Sequence, residues 1–131
     1  MKAEELRDVP LFSGLSDDAL RELGTWINEV KVTDGKQLVE EGDYAYDLFV
    51  IEDGTAEVTR DGSPVAELGP GEFFGEMGVL GEEGRRNATV IAKSPMKLLT
   101  LSHWDVDRMR KKAPEMVDQL VAAIEERSGS S

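Results

Sequence analysis

Apolar residues recur at helical spacing near the start of the chain, lose that period through the middle, and regain it at the end. Over residues 16 to 30, Ala19, Leu20, Leu23, Trp26, Ile27 and Val30 fall on one helical face. Ser16 stands where an N-cap is expected, and Asp17 and Asp18 suit the positive end of the helix dipole. Val9, Pro10, Leu11 and Phe12 form an apolar lead-in. From about residue 31 to 101 short strand-like runs alternate with turn signals: Asp34-Gly35, Gly42-Asp43, Asp53-Gly54, Asp61-Gly62 and Gly69-Pro70-Gly71. The runs cover 29–33, 37–41, 47–52, 55–60, 64–68, 88–93 and 96–101, and this spacing predicts a sandwich or barrel. Gly35, Gly54 and Gly62 stand where tight turns call for positive φ.

The helical period then returns. Ser102 is placed to cap a helix from about 103 to 112, and Pro114 fits the first turn of another that runs to about 127. Met116, Val117, Leu120, Val121 and Ile124 form one apolar face of that last helix, fit to pack on the roll, lie over a ligand or join a second copy. Residues 128–131 read as a flexible tail. There is no internal repeat and no interdomain linker, so residues 1–127 are expected to form a single domain.

Composition narrows the chemistry. The 131 residues are 40% hydrophobic, as a folded domain requires, and include no cysteine. Disulfides, thiolate metal sites and cysteine nucleophiles are therefore excluded, and a reducing cytoplasm suits the chain. A net charge of −12 opposes direct binding to nucleic acid. The densest basic stretch, Arg108, Arg110, Lys111 and Lys112, reads as charge complementing a helix C-terminus. Met1 to Asp8 lacks the apolar run of a signal peptide, and no stretch approaches the ~20 apolar residues of a membrane span.

One stretch carries chemistry. Gly75, Gly78, Gly81 and Gly84 recur within residues 73 to 92, where glycine lets backbone amides approach an anion closely. Residues 75–80 are short enough for one helical turn, whose N-terminus also favours an anion. Arg85 and Arg86 follow, and a guanidinium can hold a phosphate with two hydrogen bonds. Glu76, when ionised, only accepts hydrogen bonds, and a ribose hydroxyl is a fitting donor. Composition alone favours a structural loop here. Glu82 and Glu83 read as its solvated tip.

Phe74-Gly75-Glu76-Met77-Gly78, followed by Arg86-Asn87-Ala88-Thr89-Val90, resembles the phosphate-binding cassette of the cyclic-nucleotide-binding domain family. Its members include catabolite activator proteins, protein kinase A regulatory subunits and cyclic-nucleotide-gated channels. Gly42, Leu48-Phe49-Val50-Ile51 and Gly54 resemble the family's glycine-framed strands, and Leu11-Phe12-Ser13-Gly14-Leu15 its lead into the first helix. The resemblance spans about residues 9 to 125. It implies an α+β fold: a β-roll, an antiparallel jelly-roll-like barrel, flanked by an N-terminal helix and two C-terminal helices.

The resemblance also implies roles. Glu76 would take the ribose 2′-OH and Arg86 the cyclic phosphate. Backbone amides near Gly75 and Met77 would meet the sugar, and those near Asn87 and Ala88 the phosphate. Arg86 rather than Arg85 is placed by Ala88-Thr89-Val90. Phe74 and Gly78 complete the expected ligand-binding set. Val50, Ile51, Leu68 and Val90 are candidates for the base pocket or for ordinary core. The family's cGMP-preferring members often carry threonine beside the arginine. Asn87 stands there, which favours cAMP, with cGMP as the other candidate.

The expected function is a stand-alone cytoplasmic sensor without a catalytic residue, metal or resident cofactor, in which ligand closes the C-terminal helices over the pocket. A homodimer through the C-terminal helix and a regulated effector protein are the expected partners besides the nucleotide; no membrane contact is expected. The alternative is a scaffold of the same fold that has lost the nucleotide, against which the retained Glu76 and Arg86 speak. A regulator with its own DNA-binding module would need sequence beyond Ser131. A cupin-type metalloenzyme would need several histidines, whereas the chain has only His103, read as a partly exposed surface residue.

Overall fold

A computed structural model describes residues 1–43, 47–80, 86 and 88–128. The charged N-terminus forms a short helix, Ala3–Arg7 (α1), whose Leu6 is fully buried. A single 3₁₀ turn, Pro10–Phe12, delivers Leu11 and Phe12 to the core. Helix Asp17–Trp26 (α2) is capped as expected, with the Ser16 hydroxyl accepting from the Ala19 amide at 3.2 Å.

The expected helix over 16–30 is too long by one turn. Ile27 is already extended, and Asn28–Val32 forms strand β1. Ile27 and Val30 keep the helical period, but β1 instead pairs antiparallel with the last strand, from Asn28↔Thr100 to Val32↔Met96. Tertiary pairing of β-branched residues wins over a weak local period. Val30 is consequently 39% exposed on an edge strand.

Seven further strands follow among the described residues: Gln37–Val39 (β2), Asp47–Asp53 (β3), Ala56–Arg60 (β4), Ser63–Leu68 (β5), Phe73–Phe74 (β6), Thr89–Ala92 (β7) and Met96–Ser102 (β8). Two four-stranded antiparallel sheets result, in the orders β1-β8-β3-β6 and β2-β7-β4-β5. Strand β6 corrects the expected run list, because two residues are too few to show a period. The β4–β5 hairpin turns on Asp61 (φ 52°) and Gly62 (φ 79°), both left-handed as a two-residue loop of this kind needs. Gly35 and Gly54 likewise have positive φ.

Strands β3 and β8 are buried on both faces, so their apolar residues run without alternation. Leu48, Val50, Leu99 and Leu101 face a core shared with the helices. Ile51 and Leu98 face the opposite way, into the roll interior with Phe74, Val90 and Ala92. Phe49 stacks on Phe74 with centroids 4.9 Å apart.

Helices His103–Lys112 (α3) and Pro114–Ser128 (α4) close the chain, with Ser102 capping α3 and Arg110, Lys111 and Lys112 in its last turn. Val117, Leu120 and Ile124 are buried among Phe12, Leu20 and Leu23, so the apolar face of α4 packs into the core. Arg127 donates to the Pro10 carbonyl at 2.8 Å, and the Ser16 amide donates to Gln119 Oε1 at 2.9 Å. Glu22 ties α2 to α3, accepting from Trp26 Nε1 at 3.0 Å and pairing with Lys112 at 3.3 Å.

One group works against stability at neutral pH. Glu52 stands at a register shift in β3, and its Oε1 is buried without a hydrogen-bond partner among the described residues. Burial, then the neighbouring Glu29, raises its pKa, Lys97 opposes this, and Glu5 adds to it. A carboxyl whose folded pKa is raised stabilises the fold while protonated, and that contribution fades as pH rises through the raised value. Glu52→Gln should therefore melt close to the parent near about pH 4. At about pH 8 it should be more stable by on the order of 1 kcal/mol, read from thermal melts at both values.

Candidate functional site

The roll interior opens into a cavity of about 500 Å³, within the range of small-ligand sites. One wall is apolar: Val39 from β2, Val58 from β4, Leu68 from β5, and Ala88 and Val90 on or beside β7. At the other end stand Phe73, Phe74, Gly75, Glu76, Met77 and Arg86.

The polar end is built by local backbone geometry. Strand β6 stops at Phe74, and Gly75 turns the chain with φ +80° into a 3₁₀ turn, Glu76–Gly78. Two constraints require glycine at 75. Its φ is left-handed, and a Cβ there would overlap both Arg86 Nη1 and the Asp47 carbonyl oxygen. The Val79 and Leu80 amides both donate to the Glu76 carbonyl at 3.0 Å, which fixes the turn that presents Glu76.

Arg86 comes from the far side of the cassette, yet it ends beside Gly75. It is only 9% exposed and is the one buried charged residue among those described. Its Nη2 donates to the Asp47 carbonyl at 2.9 Å. Its backbone is pinned as well: the Arg86 amide donates to the Asp43 carbonyl at 2.6 Å, and the Gly42 amide donates to the Arg86 carbonyl at 2.8 Å. Burial pulls the guanidinium below the ordinary arginine pKa, and the Asp47, Glu76 and Asp43 carboxylates partly offset this. An arginine stays protonated even so. The cavity therefore presents a cation with little water around it and a carboxylate within its field.

Of the expected site residues, Phe74, Gly75, Glu76, Met77, Arg86 and Ala88 line one cavity. Gly78 ends the 3₁₀ turn. Asn87 lies outside the described residues, as do Gly81, Glu82, Glu83, Gly84 and Arg85. Leu68 and Val90 line the cavity, whereas Val50 and Ile51 are fully packed core. Among the described residues, none of α3 or α4 lines it. His103 is partly buried at the start of α3, its ring 3.8 Å from that of Trp104.

Sequence reasoning missed Val39, Val58 and Phe73. The first two follow from inward alternation once their strands are recognised. Asp47 was also missed, because a main-chain carbonyl acceptor leaves no residue-type signal.

Comparison with known proteins gives the same picture. The family model for the cyclic nucleotide-binding domain matches residues 29–113. The chain is 32% identical over 113 residues to a cAMP-dependent protein kinase regulatory subunit of Schizosaccharomyces pombe, which covers 86% of the chain and 27% of that protein. It is 34% identical over 122 residues to a cyclic nucleotide-gated potassium channel of Rhizobium etli, covering 92% of the chain and 34% of the channel. The chain thus spans about a quarter to a third of the length of these relatives. Among solved structures, the N-terminal domain of a transcriptional regulator from Streptomyces coelicolor superposes with a TM-score of 0.79 at 34% identity, over 95% of this chain and 92% of that one. With more than half its length matched by the family model, over the strands and the cassette just described, the chain belongs to the cyclic nucleotide-binding domain family.

Proposed function

We propose that the chain is a sensor that captures cAMP in preference to cGMP, without turning it over. The observation that carries this reading is the buried Arg86 guanidinium in the cavity wall, with Glu76 in the same cavity. A desolvated cation interacts strongly with an anion, and a fork of N–H donors suits a phosphate. In this reading the cyclic phosphate pairs with Arg86 and the ribose 2′-OH donates to Glu76. Amides near Gly75 and Met77 meet the sugar, and those near Asn87 and Ala88 the phosphate. The base lies along Val39, Val58, Leu68 and Val90. These side chains offer no hydrogen bond to the extra polar groups of guanine, which supports adenine.

The regulatory step of the reading is closure of the C-terminal helices over the base. The apolar face of α4 now lies in the core, so closure exchanges Val117, Leu120 and Ile124 contacts worth about 1.5–3 kcal/mol each when fully buried. Ligand can drive that exchange only through contacts that differ between the two states. The domain is taken to end near residue 127, and a cytoplasmic effector or second copy to receive the signal. No helix among the described residues is long and apolar enough to cross a membrane.

Two outcomes test the reading. A hundredfold excess of cAMP over its Kd adds about 2.7 kcal/mol of stability. For a domain of this size that raises the melting temperature by on the order of 10 °C, with a smaller shift from cGMP at equal concentration. Arg86→Met should lose most of that shift while the ligand-free protein melts close to the parent, because a buried charge leaves with its hydrogen bond. No shift with cAMP, or an undiminished shift in Arg86→Met, refutes the reading; appearance of a hydrolysis product on prolonged incubation refutes capture without turnover. Gly75→Ala should lower stability by about 1–3 kcal/mol and weaken binding, since the new Cβ meets Arg86 and the Asp47 carbonyl.

A further inference from the structure

Helix α3 lies outside the cavity, yet one of its side chains reaches the turn that carries Glu76. Arg110 Nη2 donates to the Val79 carbonyl at 3.4 Å, while Nη1 donates to Asp107, one turn back on the same helix, at 3.1 Å. Val79 is fully buried in the same core cluster as Val106 and Met109 of α3. The Val79 amide in turn donates to the Glu76 carbonyl. An unbroken path therefore runs from α3 through Arg110 to the main chain of Glu76.

The ion pair with Asp107 carries little by itself, because the Arg110 side chain is 44% exposed and that of Asp107 57%. Its value is directional. Asp107 orients a planar fork whose second arm then meets a main-chain acceptor on the cassette. A lysine has one nitrogen and cannot hold both partners with that geometry. The same C-terminal turn of α3 is anchored a second time, through Lys112 to Glu22 of α2.

We propose that Arg110 is a positioning residue: it holds the 3₁₀ turn bearing Glu76 against α3, so that ligand contact at Glu76 and the placement of α3 are energetically linked. This rests on the reading that Glu76 grips the ligand. Linkage of this kind is reciprocal, so loosening α3 from the turn must weaken binding.

The test is a calorimetric double-mutant cycle with cAMP on the parent, Arg110→Met, Glu76→Gln and the double variant. Methionine keeps the apolar stem and removes the fork. Arg110→Met should bind about two- to tenfold more weakly, the range of one net hydrogen bond, while its ligand-free melt stays near the parent's. In the Glu76→Gln background the same substitution should cost clearly less, since the two residues act on one contact. Arg110→Lys should recover part of the loss, and it carries the test if the methionine variant does not fold. Additive losses, or parental affinity in Arg110→Met while Glu76→Gln binds weakly, overturn the proposal and leave the site assignment standing. Parental affinity in Glu76→Gln overturns the site assignment and this proposal with it.

Discussion

A guanidinium taken out of water is the constraint around which the rest is arranged. Arg86 is 9% exposed, and its described hydrogen bond is to a main-chain carbonyl, that of Asp47. Desolvating a cation costs several kcal/mol, and a neutral acceptor with nearby carboxylates returns only part of it. A residue kept for stability alone would be replaced profitably by an apolar one. The cost makes sense where an anion is expected. Gly75 serves the same end, because only a residue without a Cβ lets β6 turn against Arg86 and Asp47.

The frame holding this charge is set by two central strands. Because β3 and β8 are buried on both faces, they separate a core shared with the helices from the interior of the roll. Asp47 begins β3, so the carbonyl that steadies Arg86 belongs to a central strand of its sheet. The Phe49–Phe74 stack fixes β6 against β3 immediately before the Gly75 turn. Cassette and frame are thereby joined on one side through β3 and on the other through the Val79–Arg110 contact with α3.

Much of this was legible in the residues, for identifiable reasons. The cassette could be read only through the resemblance of Phe74–Gly78 and Arg86–Val90 to a family motif, because its glycines, glutamate and arginine by themselves suit a structural loop equally well. The caps at Ser16 and Ser102 and the Asp61-Gly62 hairpin followed from local chemistry. The end of α2 was not legible: Ile27 and Val30 fit a helix as well as a strand, and only pairing with β8 decides between them. Helix α1 has a single core residue, Leu6, so it presents no period to detect. The three roles open to the last helix face also needed tertiary structure, which places Val117, Leu120 and Ile124 in the core.

The most direct measurement is a calorimetric titration comparing cAMP with adenosine, which has the base and ribose but no cyclic phosphate. If the buried charge of Arg86 is what the cavity is built around, cAMP binds at one site per chain. Adenosine then binds at least about a hundredfold more weakly, as the loss of charge-assisted hydrogen bonds requires. Equal affinity for the two, or no binding of cAMP at millimolar concentration, would contradict the account.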